Sequence, residues 1–423
     1  MQADPTDDPQ RSWVRKLGPG LITGAADDDP SGIATYSQAG AQFGFSMLWT
    51  VLLTWPLMVA IQVVSARIGR VTGHGLAGNI RMHYPAWLLY GVVALLVIAN
   101  TINIAADVSA MGEAARLLLG GPVHGYTLLF GTMSLLLQVF VPYTRYVPWL
   151  KWLTLALLAY VGVLFTVHIP WVDVLSATVW PHIAWNAQYV TTMVAVFGTT
   201  ISPYLFFWQA SQEVEDQQAT PGALPLIEAP NQAGASFRRI KLDTAIGMGF
   251  SNLVAFFIIL TTALTLHAHG VTDIQTSAQA ASALKPVAGD LAFALFSLGI
   301  IGTGFLAVPV LAGSAAYAMA GAFKWQRGLE LPPSRAKGFY SIIALSTVIG
   351  MALGFTAIDP IKALFWSAVM NGVIAVPIMA VMMLMASNRQ VMGEFVVTRR
   401  LRWLGWIGTG LMALAVAAMV ATM

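Results

Sequence analysis

Cysteine is absent from all 423 residues of this chain. That excludes disulfides, thiolate metal sites and cysteine redox chemistry. Charge is scarce too: 10% of residues are Asp, Glu, Lys or Arg, against about 25% in a soluble globular protein. With 57% of residues hydrophobic, the composition is that of an all-α polytopic membrane protein in contact with the lipid bilayer. The net charge of +3 comes from basic residues scattered among loops, so no nucleic-acid partner is expected. No His-Glu-x-x-His or Gly-x-Ser-x-Gly pattern occurs, and an enzyme is not expected. The seven histidines all fall near predicted loops or span ends, which argues against a His-based metal site or proton relay. Residues 1–17 are polar and mixed in charge; they read as a cytoplasmic tail without a cleavable signal.

Apolar sequence fills the rest. About 20 apolar residues cross a bilayer, and eleven runs qualify: 18–42, 46–66, 87–117, 124–142, 147–168, 188–213, 242–267, 288–322, 338–356, 359–387 and 402–422. Residues 18–423 therefore read as a single transmembrane domain. Of the 22 Lys and Arg residues, only Arg116, Lys285 and Lys362 fall on the side opposite the N-terminus. The positive-inside rule then places the N-terminus in the cytoplasm, in a cell membrane of the bacterial inner type. Trp49, Trp149, Trp152, Trp171, Trp180, Trp185 and Trp325 lie near span ends and read as an interfacial belt.

Two runs are interrupted. Asp29-Pro30-Ser31-Gly32, preceded by Asp27 and Asp28, breaks the first. Carboxylates are costly at membrane depth and normally face a partner or a water-filled path. Gly198-Thr199-Thr200-Ile201-Ser202-Pro203 interrupts the sixth. Five is odd, so spans 1–5 (18–168) and 6–10 (188–387) run in opposite directions, as an inverted repeat requires, with 402–422 as an extra helix. Matched breaks in the two halves point to a shared binding site.

The quoted residues resemble the Nramp family of divalent-metal transporters. Leu17-Gly18-Pro19-Gly20 opens the first span as in that family. Asp29-Pro30-Ser31-Gly32-Ile33-Ala34-Thr35 is similar to its Asp-Pro-Gly-Asn-x-Ala-Thr motif. Ala39-Gly40-Ala41-Gln42-Phe43-Gly44, Arg67-Ile68-Gly69-Arg70-Val71-Thr72-Gly73 and Lys241-Leu242-Asp243-Thr244-Ala245-Ile246 extend the likeness. The departures concern the ligands. Gly32 stands for the family Asn, Ser202 for Met, Tyr204 and Gln209 for two His, Tyr36 for the Asp after Ala-Thr, Ala110 for a Glu and Ala368 for a Gln. This pattern resembles the Nramp-related magnesium transporters. The resemblance implies a leucine-transporter-like 5+5 inverted repeat with broken helices 1 and 6, alternating access, and no cofactor beyond the transported Mg²⁺ or Mn²⁺.

The candidate site follows. Asp29, the Ser202 hydroxyl and, by family position, the Ala26 and Thr199 carbonyls are the candidate metal ligands. Asp28, Ser31, Gly32, Thr200, Tyr204 and Asn371 are candidates for a vestibule or outer shell. Such a set is hard, and the small Gly32 leaves room for retained water. Asp29 doubles as a helix N-cap. Asp107 reads as part of a proton route by family position, or as a buried carboxylate satisfied by neighbouring hydroxyls and amides. Asp243 reads as an N-cap or a helix-dipole partner, Glu213-Glu215-Asp216 as solvated charge, and 217–236 as a flexible loop. The function implied is a secondary carrier of hard divalent cations, weakly or not proton-coupled. The alternative is a Na⁺- or H⁺-driven symporter of a small organic solute.

Overall fold

Proline lacks a backbone donor and clashes with the preceding turn, so a helix ends ahead of it and restarts with Pro in the first turn. The chain does this at both interruptions. A computed structural model describes residues 19–141, 145, 154–356 and 359–423. Counting helices of eight residues or more, these residues form α1 (Pro19–Asp27), α2 (Pro30–Phe43), α3 (Leu48–Thr72), α4 (Leu76–His83) and α5 (Ala86–Leu119). There follow α6 (Val123–Phe140), α7 (Trp171–Val179), α8 (Ala187–Thr200), α9 (Pro203–Ala219) and α10 (Ala233–Thr265). The last four are α11 (Ala292–Phe323), α12 (Lys337–Leu353), α13 (Pro360–Ser387) and α14 (Arg399–Thr422). Regular structure among the described residues is entirely helical.

Every expected span except 147–168 coincides with one helix or a pair of half-helices. Of 147–168, residues 147–153 lie outside the described residues, and the rest forms only a short turn and Leu158–Val163. The 1–17 tail also lies outside them. Among the described residues, eight helical stretches are long and apolar enough to cross a membrane. The α8–α9 stretch is the centre: its most apolar window is 100% buried, against 22% for α6 and 33% for α14 at the periphery.

Lipid gives helices little hydrophobic reason to associate, so close backbone approach through small residues matters. Gly24 on α1 meets Gly247 on α10; a Cβ there would lie 2.3 Å from the Gly247 carbonyl carbon. Gly198 on α8 meets Ala368 and Gly372 on α13 in the same way. These crossings hold α1 and α8, each ending at a break, against continuous helices.

Several polar residues differ from expectation. Asp243 is not an N-cap of its own helix, because α10 begins ten residues earlier, at Ala233. Its carboxylate instead accepts from Gly20 N of α1 at 2.7 Å, satisfying a free donor at that helix start. Glu213 is fully buried and ion-paired with Arg239, while Glu215 accepts from Tyr317 Oη and Leu329 N. Glu213 is a buried partner and Glu215 a half-buried one, not solvated charge, because α9 carries them between α10 and the loop after α11, while Asp216 is partly exposed and lies 3.3 Å from Arg239. The segment after α9 is docked: Leu226 N and Ile227 N donate to the Arg70 and Val71 carbonyls at the end of α3. Trp49 is buried and donates to Tyr189 Oη, so it is a packing residue and not part of a belt. Trp171, Trp180 and Trp185 are exposed.

Candidate cation site at the paired helix breaks

Each break is two residues long, Asp28–Asp29 and Ile201–Ser202, and each is followed by Pro at the first helical position. Asp29 is extended (φ −73°, ψ 169°) and caps α2. Its Oδ1 accepts from Gly32 N and from Ser31 Oγ, both at 2.7 Å. Its Oδ2 accepts from Asn103 Nδ2 on α5 at 3.1 Å and from Tyr204 Oη on α9 at 3.3 Å. Tyr204 Oη also lies 3.3 Å from the Ala26 carbonyl, left free by the end of α1. The two breaks are thus joined through one buried carboxylate, one carbonyl and one phenol. N-capping and a central position, both expected of Asp29, coexist.

The other sequence candidates divide. Thr199 is buried and its Oγ1 faces Gly32: a Cβ on Gly32 would lie 3.2 Å from it and 3.3 Å from Tyr36 Cε2. The room expected beside Gly32 is therefore taken by the Tyr36 ring and Thr199 in this conformation. Ser202 and Thr200 turn their protons to the last turn of α8, Ser202 to the Gly198 and Thr199 carbonyls and Thr200 to the Val196 carbonyl. Free carbonyls at a helix end attract such hydroxyls. Asp28 and Asp27 both receive Ser251 Oγ of α10, at 3.0 and 2.5 Å. They tie the end of α1 to α10 and make no hydrogen bond to Asp29. Asn371 is buried with both amide atoms unpartnered. Asp107 is buried with both carboxylate oxygens unpartnered, so the reading as a satisfied carboxylate is incorrect: no hydroxyl or amide among the described residues reaches it. Asn103 carried no role in the sequence reading. Its signal was present, since it lies four residues before Asp107 on one face of α5. Ser251 was hidden in an apolar span.

The two sides of the site differ. A cavity of about 730 Å³ opens where α2 ends and α8 and α13 begin, lined by Gln38, Gln42, Gln188, Thr191, Asp273 and Lys362 among others. Ala34, also in its lining, is five residues beyond Asp29, about 7.5 Å along the α2 axis. On the opposite side, α1 is closed onto α10 by Gly24–Gly247, Gly20–Asp243 and Ser251 with its two carboxylates. No three His, Asp or Glu side chains among the described residues group closely enough to hold a metal alone. A cation at Asp29 would need hydroxyl, carbonyl or water oxygens besides.

The family model described as natural resistance-associated macrophage protein-like, Nramp, matches residues 20–422. The divalent metal cation transporter MntH of Klebsiella pneumoniae (strain 342) is 26% identical over 402 residues, covering 92% of this chain and 90% of that protein. Among solved structures, the Eremococcus coleocola manganese transporter, in complex with an aromatic bis-isothiourea substituted compound, superimposes with a TM-score of 0.74 at 15% identity. That likeness covers 100% of this chain and 89% of the other. Mhp1, a nucleobase-cation-symport-1 family transporter with bromovinylhydantoin bound, gives a TM-score of 0.57 at 13% identity, over 96% of this chain and 92% of that one. At these identities the solved structures establish the fold, a leucine-transporter-like helical membrane protein. With the family model running almost from end to end, the chain belongs to the Nramp family.

Proposed function

We propose that this protein is a secondary carrier of hard divalent cations, Mg²⁺ first and Mn²⁺ also, and that Asp29 is the charged ligand. The observation carrying this reading is the buried Asp29 carboxylate between the two helix breaks, beside the Ala26 carbonyl and the Tyr204 and Thr199 hydroxyls. Oxygen ligands suit Mg²⁺ and Mn²⁺. Mg²⁺ dehydrates reluctantly and is held through one or two carboxylates with several waters kept. MntH of K. pneumoniae, by its name a divalent metal cation transporter, supports a transported metal and a transporter in preference to an enzyme. Alternating access fits the one-sided closure: the vestibule at the end of α2 is open while α1 is shut against α10. With the N-terminus inside, this is an outward-facing arrangement.

Selectivity follows from the donor set. Mg²⁺ is expected to compete with Mn²⁺ uptake into proteoliposomes, and Cd²⁺ to have no large advantage, because thioether and thiolate favour the softer metals and Ser202 stands at the sulfur position. Strongly preferred Cd²⁺ uptake would show that one of the 19 Met residues reaches the ion.

Coupling to protons is expected to be weak or absent. A proton-coupled cycle needs a group that exchanges protons near the site. Tyr204 and Gln209 replace both expected His, and Gln209 Nε2 is engaged with Thr244 Oγ1 at 2.8 Å. Proteoliposomes loaded with a pH indicator should show no Mg²⁺-driven internal acidification. Acidification that disappears in Asp107→Asn would overturn this and make Asp107 the proton carrier.

A second reading is a Na⁺- or H⁺-driven symporter of a small organic solute. The 730 Å³ vestibule favours it, being within the size range of small-molecule sites, about 300–1,000 Å³. Isothermal titration with Mg²⁺, Mn²⁺ and Na⁺ beside a thermal-shift screen of organic solutes separates the two readings.

A further inference from the structure

The two oxygens of Asp29 are unequally held. Oδ1 takes two donors from its own segment, Ser31 Oγ and Gly32 N, both at 2.7 Å. Oδ2 takes two donors from distant helices at longer range, Asn103 Nδ2 at 3.1 Å and Tyr204 Oη at 3.3 Å. A carboxylate offers about four lone-pair positions, and here four neutral donors face them, the fourth shared with the Ala26 carbonyl. A cation cannot bind this group directly until one donor leaves. The Oδ1 donors cap α2 at 2.7 Å, a full-strength distance, whereas on Oδ2 Asn103 at 3.1 Å sits at the long end of the N–H···O range and Tyr204 at 3.3 Å beyond the usual O–H···O range. Displacement therefore falls on Oδ2. Tyr204 is the more weakly held of its two donors. Its single proton faces both Asp29 Oδ2 and the Ala26 carbonyl, at 3.3 Å each, and serves only one at a time. The phenol stands between the two oxygens that a cation would take.

From this geometry we infer that Tyr204 and Asn103 form a displaceable clamp on Asp29 that sets selectivity for divalent over monovalent cations. The inference rests on Asp29 being the cation ligand. Provided the divalent ion keeps several of its waters, so that most of its larger dehydration cost does not arise, its attraction to the carboxylate at equal distance is twice that of Na⁺. The cost of moving the two neutral donors is the same for either. A divalent ion offsets that cost, and a monovalent ion is left competing with hydrogen bonds of comparable strength. Tyr204 thus acts as a specificity residue without lending a charge to the site.

Tyr204→Phe tests this, because Phe keeps the ring and removes only the hydroxyl. The measurements are Mg²⁺ affinity by titration calorimetry, the KM for Mg²⁺ uptake, and inhibition of that uptake by NaCl against choline chloride. One net hydrogen bond corresponds to a fall in KM of about three- to tenfold. Na⁺ should become a competitive inhibitor in Tyr204→Phe while the wild type stays insensitive. Asn103→Ala should move both readouts in the same direction and carries the test if Tyr204→Phe does not fold. A KM that is unchanged or raised, with Na⁺ sensitivity like the wild type, overturns the clamp. Asp29→Asn separates the two failures. If wild type takes up neither Mg²⁺ nor Mn²⁺, or Asp29→Asn takes them up normally, the cation reading itself fails. If Asp29→Asn is dead and Tyr204→Phe behaves as wild type, only the clamp fails.

Discussion

Asp29→Asn should abolish Mg²⁺ and Mn²⁺ binding and uptake while leaving the fold intact. Loss of even an outer-shell partner typically costs a metal site about 10–100-fold, so removing the charged ligand should cost about 100-fold or more. The fold should survive for a separate reason. Asn is as good an N-cap as Asp, and its Oδ1 retains the bonds from Gly32 N and Ser31 Oγ. The new amide would meet Asn103, whose Oδ1 is unpartnered and available if that amide turns over. The melting temperature of Asp29→Asn in detergent should therefore match the wild type. Normal uptake would remove Asp29 from the site; a collapsed melting temperature would make its role structural.

The second large effect is on folding. Gly198→Leu should yield little folded protein. A Cβ at Gly198 would lie 2.1 Å from the Ala368 carbonyl oxygen and 2.4 Å from Gly372 N. Both atoms are backbone, so no rotamer change relieves the clash, and α8 must separate from α13. Overpacking a core typically costs about 1–3 kcal/mol, and a backbone collision at a helix crossing lies at or above the top of that range. Gly410, in contrast, has open space around its Cβ position. Size-exclusion profiles and thermal melts of Gly198→Leu and Gly410→Leu should differ sharply. Equal behaviour would mean that the α8–α13 crossing yields easily.

Much of the fold is written in local signals. Hydropathy marks the spans because every lipid-exposed segment must be apolar and internally hydrogen-bonded. The breaks show as Asp29-Pro30 and Ser202-Pro203 because Pro acts on its own turn. Asp29 as a cap lying at the break was legible for the same reason. What was not legible is pairing across the chain. Asn103 lies 74 residues from Asp29 in sequence, and Ser251 lies 224 from Asp27. A buried Asn or Ser in an apolar run looks alike whether it bonds its own helix or another. Glu213 was misread on that account, and Asp243, read as an N-cap or dipole partner, serves a different helix start from the one expected. Each lies beside a helix end or loop in sequence, but its partner, Gly20 N or Arg239, comes from another helix. The hydroxyls of Ser202 and Thr200 were legible as residues at the break but not as side chains turned back onto α8.

The central claim is that a hard divalent cation sits between the two helix breaks on Asp29. Crystals grown with Mn²⁺ and measured at the manganese absorption edge test it most directly. The account predicts one anomalous peak within about 2.0–2.6 Å of Asp29 Oδ2, the span of Mg²⁺ and Ca²⁺ ligand distances, with the Ala26 carbonyl as a neighbour and the peak absent in Asp29→Asn. A peak elsewhere in the protein, or none at Asp29 under conditions where calorimetry shows Mn²⁺ bound, would contradict it.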